Sequence, residues 1–192
     1  MLQTALHYSH ELLKEIVQPG DVVVDGTMGN GFDTVFLAEL VGKTGLVYAF
    51  DVQEQALTTT TERLKAEKLL ERTQLLLQGH ETLSQVIPEI QPIKSALFNL
   101  GYLPHSDKSI ITTEATTIPA LTALISRLVT RGRIILVIYS GHEGGEAEKQ
   151  AVLNFATELP QEDFSVLYYE FINQKHSPPS LVCIERKKSP KK

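Results

Sequence analysis

One cysteine in 192 residues rules out an internal disulfide and a cysteine-based metal cluster. Cys183 sits in the apolar run Leu181-Val182-Cys183-Ile184 and reads as a buried strand residue. No apolar run approaches the roughly 18–20 residues that cross a bilayer, so no membrane partner is expected. The N-terminus shows no basic stretch, apolar stretch and small-residue cleavage site in series, which argues for a cytoplasmic protein without a secretory signal. Positive charge is not in excess either. Eighteen Lys and Arg face 23 Asp and Glu, a net charge of −5, so nothing global draws the chain to nucleic acid. Two local basic groups remain: Arg127, Arg131 and Arg133, and the tail Arg186 to Lys192, whose last six residues, 187–192, read as a frayed, solvated end. No linker or repeat divides the chain, and its length suits a single domain, 1–192, with one substantial core.

What is present is a regular alternation of short β-branched runs and longer helical patterns, the mark of a mostly parallel sheet covered on both faces. The spacing predicts an opening helix over 4–17, ended by Pro19-Gly20, and further helices over 32–41, 54–69, 81–87, 114–130 and 146–158. Strands are predicted at 22–24, 46–50, 73–77, 95–99, 133–139, 164–171 and 181–186. No helix separates the last two, so they should pair antiparallel. Seven strands ending in this way match an α/β, Rossmann-like class I methyltransferase sheet better than an all-parallel dinucleotide fold.

The chemistry gathers at the ends of strands. After the first comes Asp25-Gly26-Thr27-Met28-Gly29-Asn30-Gly31, a Gly-rich turn running into a helix, which offers backbone N–H groups to a ligand. A dinucleotide fingerprint fits poorly, because Thr34 stands where the last glycine should be, and no Walker loop follows. An acid ahead of the glycines suits a cofactor with a cationic amino-acid end and no pyrophosphate, and S-adenosylmethionine is such a cofactor. Asp51, 26 residues after Asp25, ends the second strand, where a carboxylate can take both ribose hydroxyls. It could instead cap the helix that starts near Gln53; the pair of acids around one glycine loop favours the cofactor. His80 and Glu81 follow the third strand, beside the place for an adenine, or cap the next helix. The candidate cofactor set is Asp25, Thr27, Gly29, Asn30, Gly31, Asp33, Thr34, Asp51, Gln53, His80, Glu81 and Asn99, and no metal-ligand set stands out.

The fourth strand ends in Phe98-Asn99-Leu100-Gly101-Tyr102-Leu103-Pro104. An amine nucleophile needs acceptors that aim its lone pair at the methyl group. The Asn99 amide oxygen and the Leu100 carbonyl can supply them, much as D/N-P-P-Y/F loops do, with Leu100-Gly101 in place of the two prolines. Asn99 could also serve only to satisfy a buried strand end. Tyr139 and His142, in Tyr139-Ser140-Gly141-His142-Glu143-Gly144-Gly145, lie over the same pocket, and His142 suits proton acceptance or is an exposed loop histidine. His10 and Asn173 could close the pocket.

Together these three segments, the glycine loop extended through Phe32-Asp33-Thr34, resemble the small bacterial family labelled putative rRNA methylase, itself similar to the tRNA 5-aminomethyl-2-thiouridine methyltransferases of Gram-positive bacteria and plants. The resemblance covers essentially the whole chain, including Ser9-His10-Glu11-Leu12-Leu13 and the loop from Asn173 to Pro179. It implies methyl transfer from S-adenosylmethionine to 5-aminomethyl-2-thiouridine at the wobble position, with the tRNA anticodon stem-loop as partner and a homodimer as the assembly. Competing readings are methylation of rRNA or of a small amine, and a non-catalytic nucleoside- or RNA-binding module, which would leave Asp25 and Asp51 unexplained.

Overall fold

The computed structural model describes residues 1–102 and 110–188. Leu103 and Pro104 of the fourth-strand motif, and residues 189–192 of the basic tail, lie outside the described residues. Seven strands form one sheet: β1 (Val22–Asp25), β2 (Leu46–Asp51), β3 (Thr73–Leu77), β4 (Ile93–Leu100), β5 (Leu128–Ile138), β6 (Phe164–Tyr169) and β7 (Ser180–Arg186). Their order is β3-β2-β1-β4-β5-β7-β6. β1 to β5 run parallel to one another, while β7 is antiparallel to both β5 and β6. This is the predicted seven-stranded, mostly parallel sheet with an antiparallel last strand.

Alternation along the strands sends side chains to two helical layers. Ile135, Val137, Leu181 and Cys183 join Val23, Val47 and Leu97 against α1 (Ala5–Lys14), α2 (Phe32–Leu40) and α3 (Glu54–Ala66). Ile134, Leu136, Ile138, Val182 and Ile184 join Val24, Phe50, Ala96 and Phe98 against α4 (Leu83–Val86), α5 (Glu114–Arg127) and α6 (Gly145–Thr157). Cys183 is buried, and burial pushes its thiol up to about 12, so it is an inert core residue.

Several boundaries differ from the periodicity. Helix α1 stops at Lys14, yet Ile16 and Val17 are buried in the turn that follows it. Helix α5 ends at Arg127, three residues early, because Leu128 already pairs with Ile93. The register then slips before Ser95 meets Arg133, and Arg131 takes a left-handed φ of 60° within that irregular stretch. The basic group centred on Arg131 dissolves here. Arg127 is buried and donates to the Ala123 and Ile87 carbonyls, and Arg133 pairs with Glu15 and Glu185, leaving Arg131 as the exposed member. Among the described residues no helix is long and apolar enough to cross a membrane.

Candidate functional site

The sheet order reverses between β1 and β4, and a cleft opens at the carboxyl ends of strands at such a point. Asp25, Asp51 and Asn99 stand at or near the ends of β1, β2 and β4, with Tyr139 just past β5.

Asp25 is fully buried. It accepts the Thr27 N–H at 3.1 Å and the Thr34 hydroxyl at 2.6 Å. Thr34 thus serves as a hydrogen-bond donor where a dinucleotide fold would need glycine. Burial, then the charge of Asp33, pushes the Asp25 carboxyl up to about 7. Asp51 receives the N–H of Gly29 on one oxygen and that of Gln53 on the other, both at 2.9 Å. One carboxylate therefore ties the glycine loop to the start of α3.

The loop is braced from outside. Gly31 has a φ of 79°, and a Cβ there would lie 2.6 Å from the Thr60 hydroxyl, so glycine is needed on both counts. Thr60 donates to the Gly29 carbonyl at 3.0 Å, and Arg63 donates to the Asn30 carbonyl at 2.9 Å while stacking on Phe32. A Cβ at Gly26 would collide with the Phe98 ring. His80 turns inward rather than toward the cleft. Its Nδ1 donates to the Gly26 carbonyl at 2.8 Å, and its ring meets Phe98 edge-on. Burial holds its pKa below the ordinary histidine value, so it is a neutral brace under the loop. Glu81 folds its carboxylate back over Gly79.

On the acceptor side, Thr27 accepts the backbone N–H of Asn99 at 2.7 Å, joining the glycine loop to β4. Asp33, in the first turn of α2, holds two partners. Its Oδ1 accepts from His10 Nε2 at 2.7 Å and its Oδ2 from Asn99 Nδ2 at 2.6 Å. A carboxylate only accepts, so this contact fixes which end of the Asn99 amide is which. The amide oxygen of Asn99 is left buried, without a partner among the described residues. His10 stacks on Phe36 at 4.0 Å, so the opening helix contributes to the site, whereas Asn173 is exposed. The Leu100 carbonyl has one of its two lone pairs engaged. It already takes the Tyr139 N–H at 2.9 Å as the ladder between β4 and β5 continues.

His142 donates from Nδ1 to the Glu143 carbonyl at 2.9 Å, and its Nε2 is buried without a partner among the described residues. That Nε2 lies between Gly101 and Gly145, where an added Cβ would stand 3.6 and 3.0 Å away. Burial, with the charge of Asp33, raises the Tyr139 phenol above its ordinary value, so it stays protonated. Thr60 and Arg63 do not stand out in the sequence as site residues. Each looks like an ordinary polar residue of a helix or loop, and only distant pairing gives it a role.

The chain matches the protein family described as "Putative rRNA methylase" over residues 47–185. It is 35% identical over 190 residues to the chloroplastic tRNA (mnm(5)s(2)U34)-methyltransferase of Arabidopsis thaliana, covering 95% of this chain and 69% of that protein. Among solved structures, a "putative rRNA-methylase" from Clostridium thermocellum matches with a TM-score of 0.94 at 45% identity, over 97% of this chain and 99% of that one. A "putative methyltransferase" from Streptococcus mutans, solved in complex with SAH, matches with a TM-score of 0.88 at 44% identity, over 97% and 99% of the two chains.

Proposed function

The chain belongs to the family described as "Putative rRNA methylase", and from that premise we propose that it methylates the exocyclic amine of 5-aminomethyl-2-thiouridine at the tRNA wobble position, with S-adenosylmethionine as donor. The fixed orientation of the Asn99 amide carries this reading. Asp33 takes its N–H, so the free oxygen is an acceptor for a substrate N–H. The name of the Arabidopsis relative, matched over almost the whole chain, supports tRNA as the substrate.

The residues fit the donor. Asp33 and Asp51 both lie within electrostatic reach of Asp25, a setting for the cationic ammonium and sulfonium of S-adenosylmethionine. The turn Gly29-Asn30-Gly31, held by Asp51, Thr60 and Arg63, shapes the approach for its amino-acid end, and Asp51 with Gln53 is the side for its ribose. Glu81 lies toward the adenine side. Thr27, Thr34 and His80 hold this cradle in shape. S-adenosylmethionine supplies an electrophilic methyl group on a positive sulfur.

The protein's task is to deliver a free amine in line with that methyl group. An alkylamine arrives mostly as ammonium, and Asp33 attracts it. Asn99 Oδ1 then accepts one of its N–H bonds, which orients the nitrogen lone pair. His142 Nε2, or water, receives the surplus proton. Tyr139 closes the side of the pocket. The anticodon stem-loop is the part of tRNA that presents this base. The exposed Val166, Leu167 and Tyr168 on the edge strand β6 suit the pairing of two copies.

Nucleoside mass spectrometry of tRNA from a strain lacking the protein tests the substrate. Accumulated 5-aminomethyl-2-thiouridine is the expected result. An unchanged tRNA profile with a methyl group missing from rRNA would replace tRNA by rRNA.

A further inference from the structure

We infer that Glu148 is a positioning residue for methyl transfer, a clasp that sets the exit of the acceptor strand against the cofactor loop; the inference rests on the methyltransferase reading above. Glu148 lies on α6 and is 1% exposed. Its partners are two hydroxyls, that of Thr112 at 2.8 Å on one oxygen and that of Thr117 at 2.7 Å on the other. Burial raises its pKa above the ordinary carboxylate range. A carboxyl in this position is costly, and an apolar side chain would fill the same space without the desolvation.

Each hydroxyl leads to one half of the site. Thr112 Oγ1 accepts the Gly101 N–H at 2.8 Å, and the Thr112 N–H donates to the Gly101 carbonyl at 2.9 Å. Both backbone groups of Gly101, two residues past Asn99, are thus held by one threonine. Gly101 has a φ of 151°, and a Cβ there would press on the Tyr139 Cβ at 3.2 Å. The chain leaves β4 through a point that only glycine suits. On the other arm, the Thr117 hydroxyl lies 3.5 Å from Nε2 of His80, and His80 Nδ1 holds the carbonyl of Gly26 beside Asp25. One carboxyl, itself buried, therefore stands between the acceptor exit and the cofactor loop.

The test uses the full-length protein as Glu148→Gln, Glu148→Leu and Thr112→Val variants. Four quantities are read: kcat on tRNA carrying 5-aminomethyl-2-thiouridine, the Kd for SAH, the melting temperature, and hydrogen exchange at the Gly101 and Thr112 amides. Glutamine keeps one acceptor for one threonine and gains a donor for the other, so its kcat should stay within about threefold of the parent. Leucine at 148, and valine at 112, should lower kcat about tenfold or more, with the Kd for SAH within about twofold. Exchange at Gly101 and Thr112 should rise in the leucine variant. Should that variant not fold, Thr112→Val, which removes one hydroxyl, carries the same prediction for kcat. Unchanged kcat with unchanged exchange overturns the inference, and so does a loss of kcat that tracks lost folding or lost SAH affinity. A parent protein inert on this tRNA, with exchange still rising in the leucine variant, would sink the proposed substrate and leave the clasp standing.

Discussion

Replacing Asp25 by Asn should make the ligand-free protein more stable and the cofactor complex weaker. The native state holds this carboxyl at about 7 against an ordinary value of 3.8, chiefly because it is buried. The shift is upward, so the native state keeps a proton that the unfolded chain releases. The carboxyl therefore costs nothing below the unfolded value, erodes stability as pH rises from about 4 to 7, and has its full destabilising effect above that. About three pH units at roughly 1.4 kcal/mol each set a ceiling near 4 kcal/mol. The Asp25→Asn variant would recover only part of this, since one carboxylate oxygen bonded to Thr34 or Thr27 becomes an amide N–H. A loss of about 1–2 kcal/mol for that contact leaves a net gain of roughly 2–3 kcal/mol at pH 8. For a chain of this size that amounts to about 4–12 °C in melting temperature. The assay is thermal unfolding of the ligand-free protein at several pH values between 5 and 8, beside SAH calorimetry. The stability of the parent should fall across this range and that of the variant should fall less. An Asp25→Asn protein no more stable than the parent at pH 8, with the same pH slope, would refute the reasoning.

Other consequences follow from the same contacts. Asp51→Ala removes the carboxylate that holds Gly29 and that the proposed function sets against the ribose, so the Kd for SAH should rise about 10- to 100-fold by calorimetry; an unchanged Kd would contradict the assignment. His10→Ala frees one side of Asp33 and should lower kcat about tenfold while the Kd for SAH stays within about twofold; equal losses in both would place His10 in the cofactor site instead. Gly26→Ala would force a methyl group into the Phe98 ring and should cost about 2–4 kcal/mol by denaturant unfolding. Phe98→Leu in that background should recover part of the loss.

The strands were legible because burial on both faces writes continuous apolar runs such as Ile134 to Ile138. Asp25 and Asp51 stand out in the sequence as acids at the ends of such runs, and in the fold both accept hydrogen bonds from the glycine loop. What periodicity could not show was pairing. The helical spacing of α5 continues past Arg127, but parallel pairing of Leu128 with Ile93 overrides it. The basic look of Arg127 and Arg133 misled because both are engaged by internal partners. Asp33 and Asn99 lie 66 residues apart, and nothing local announces that one orients the other. The same holds for Glu148, whose two threonines precede it by more than thirty positions.

In the proposed reaction Asn99 presents an amine to the methyl donor. The most direct measurement incubates purified protein with tRNA carrying 5-aminomethyl-2-thiouridine and S-adenosylmethionine bearing a deuterated methyl group, followed by nucleoside mass spectrometry. The deuterated methyl should appear on the exocyclic amine of that uridine, with transfer reduced at least about a hundredfold in Asn99→Ala while SAH still binds. Label on a ribose or another base, or full transfer by Asn99→Ala, would contradict it.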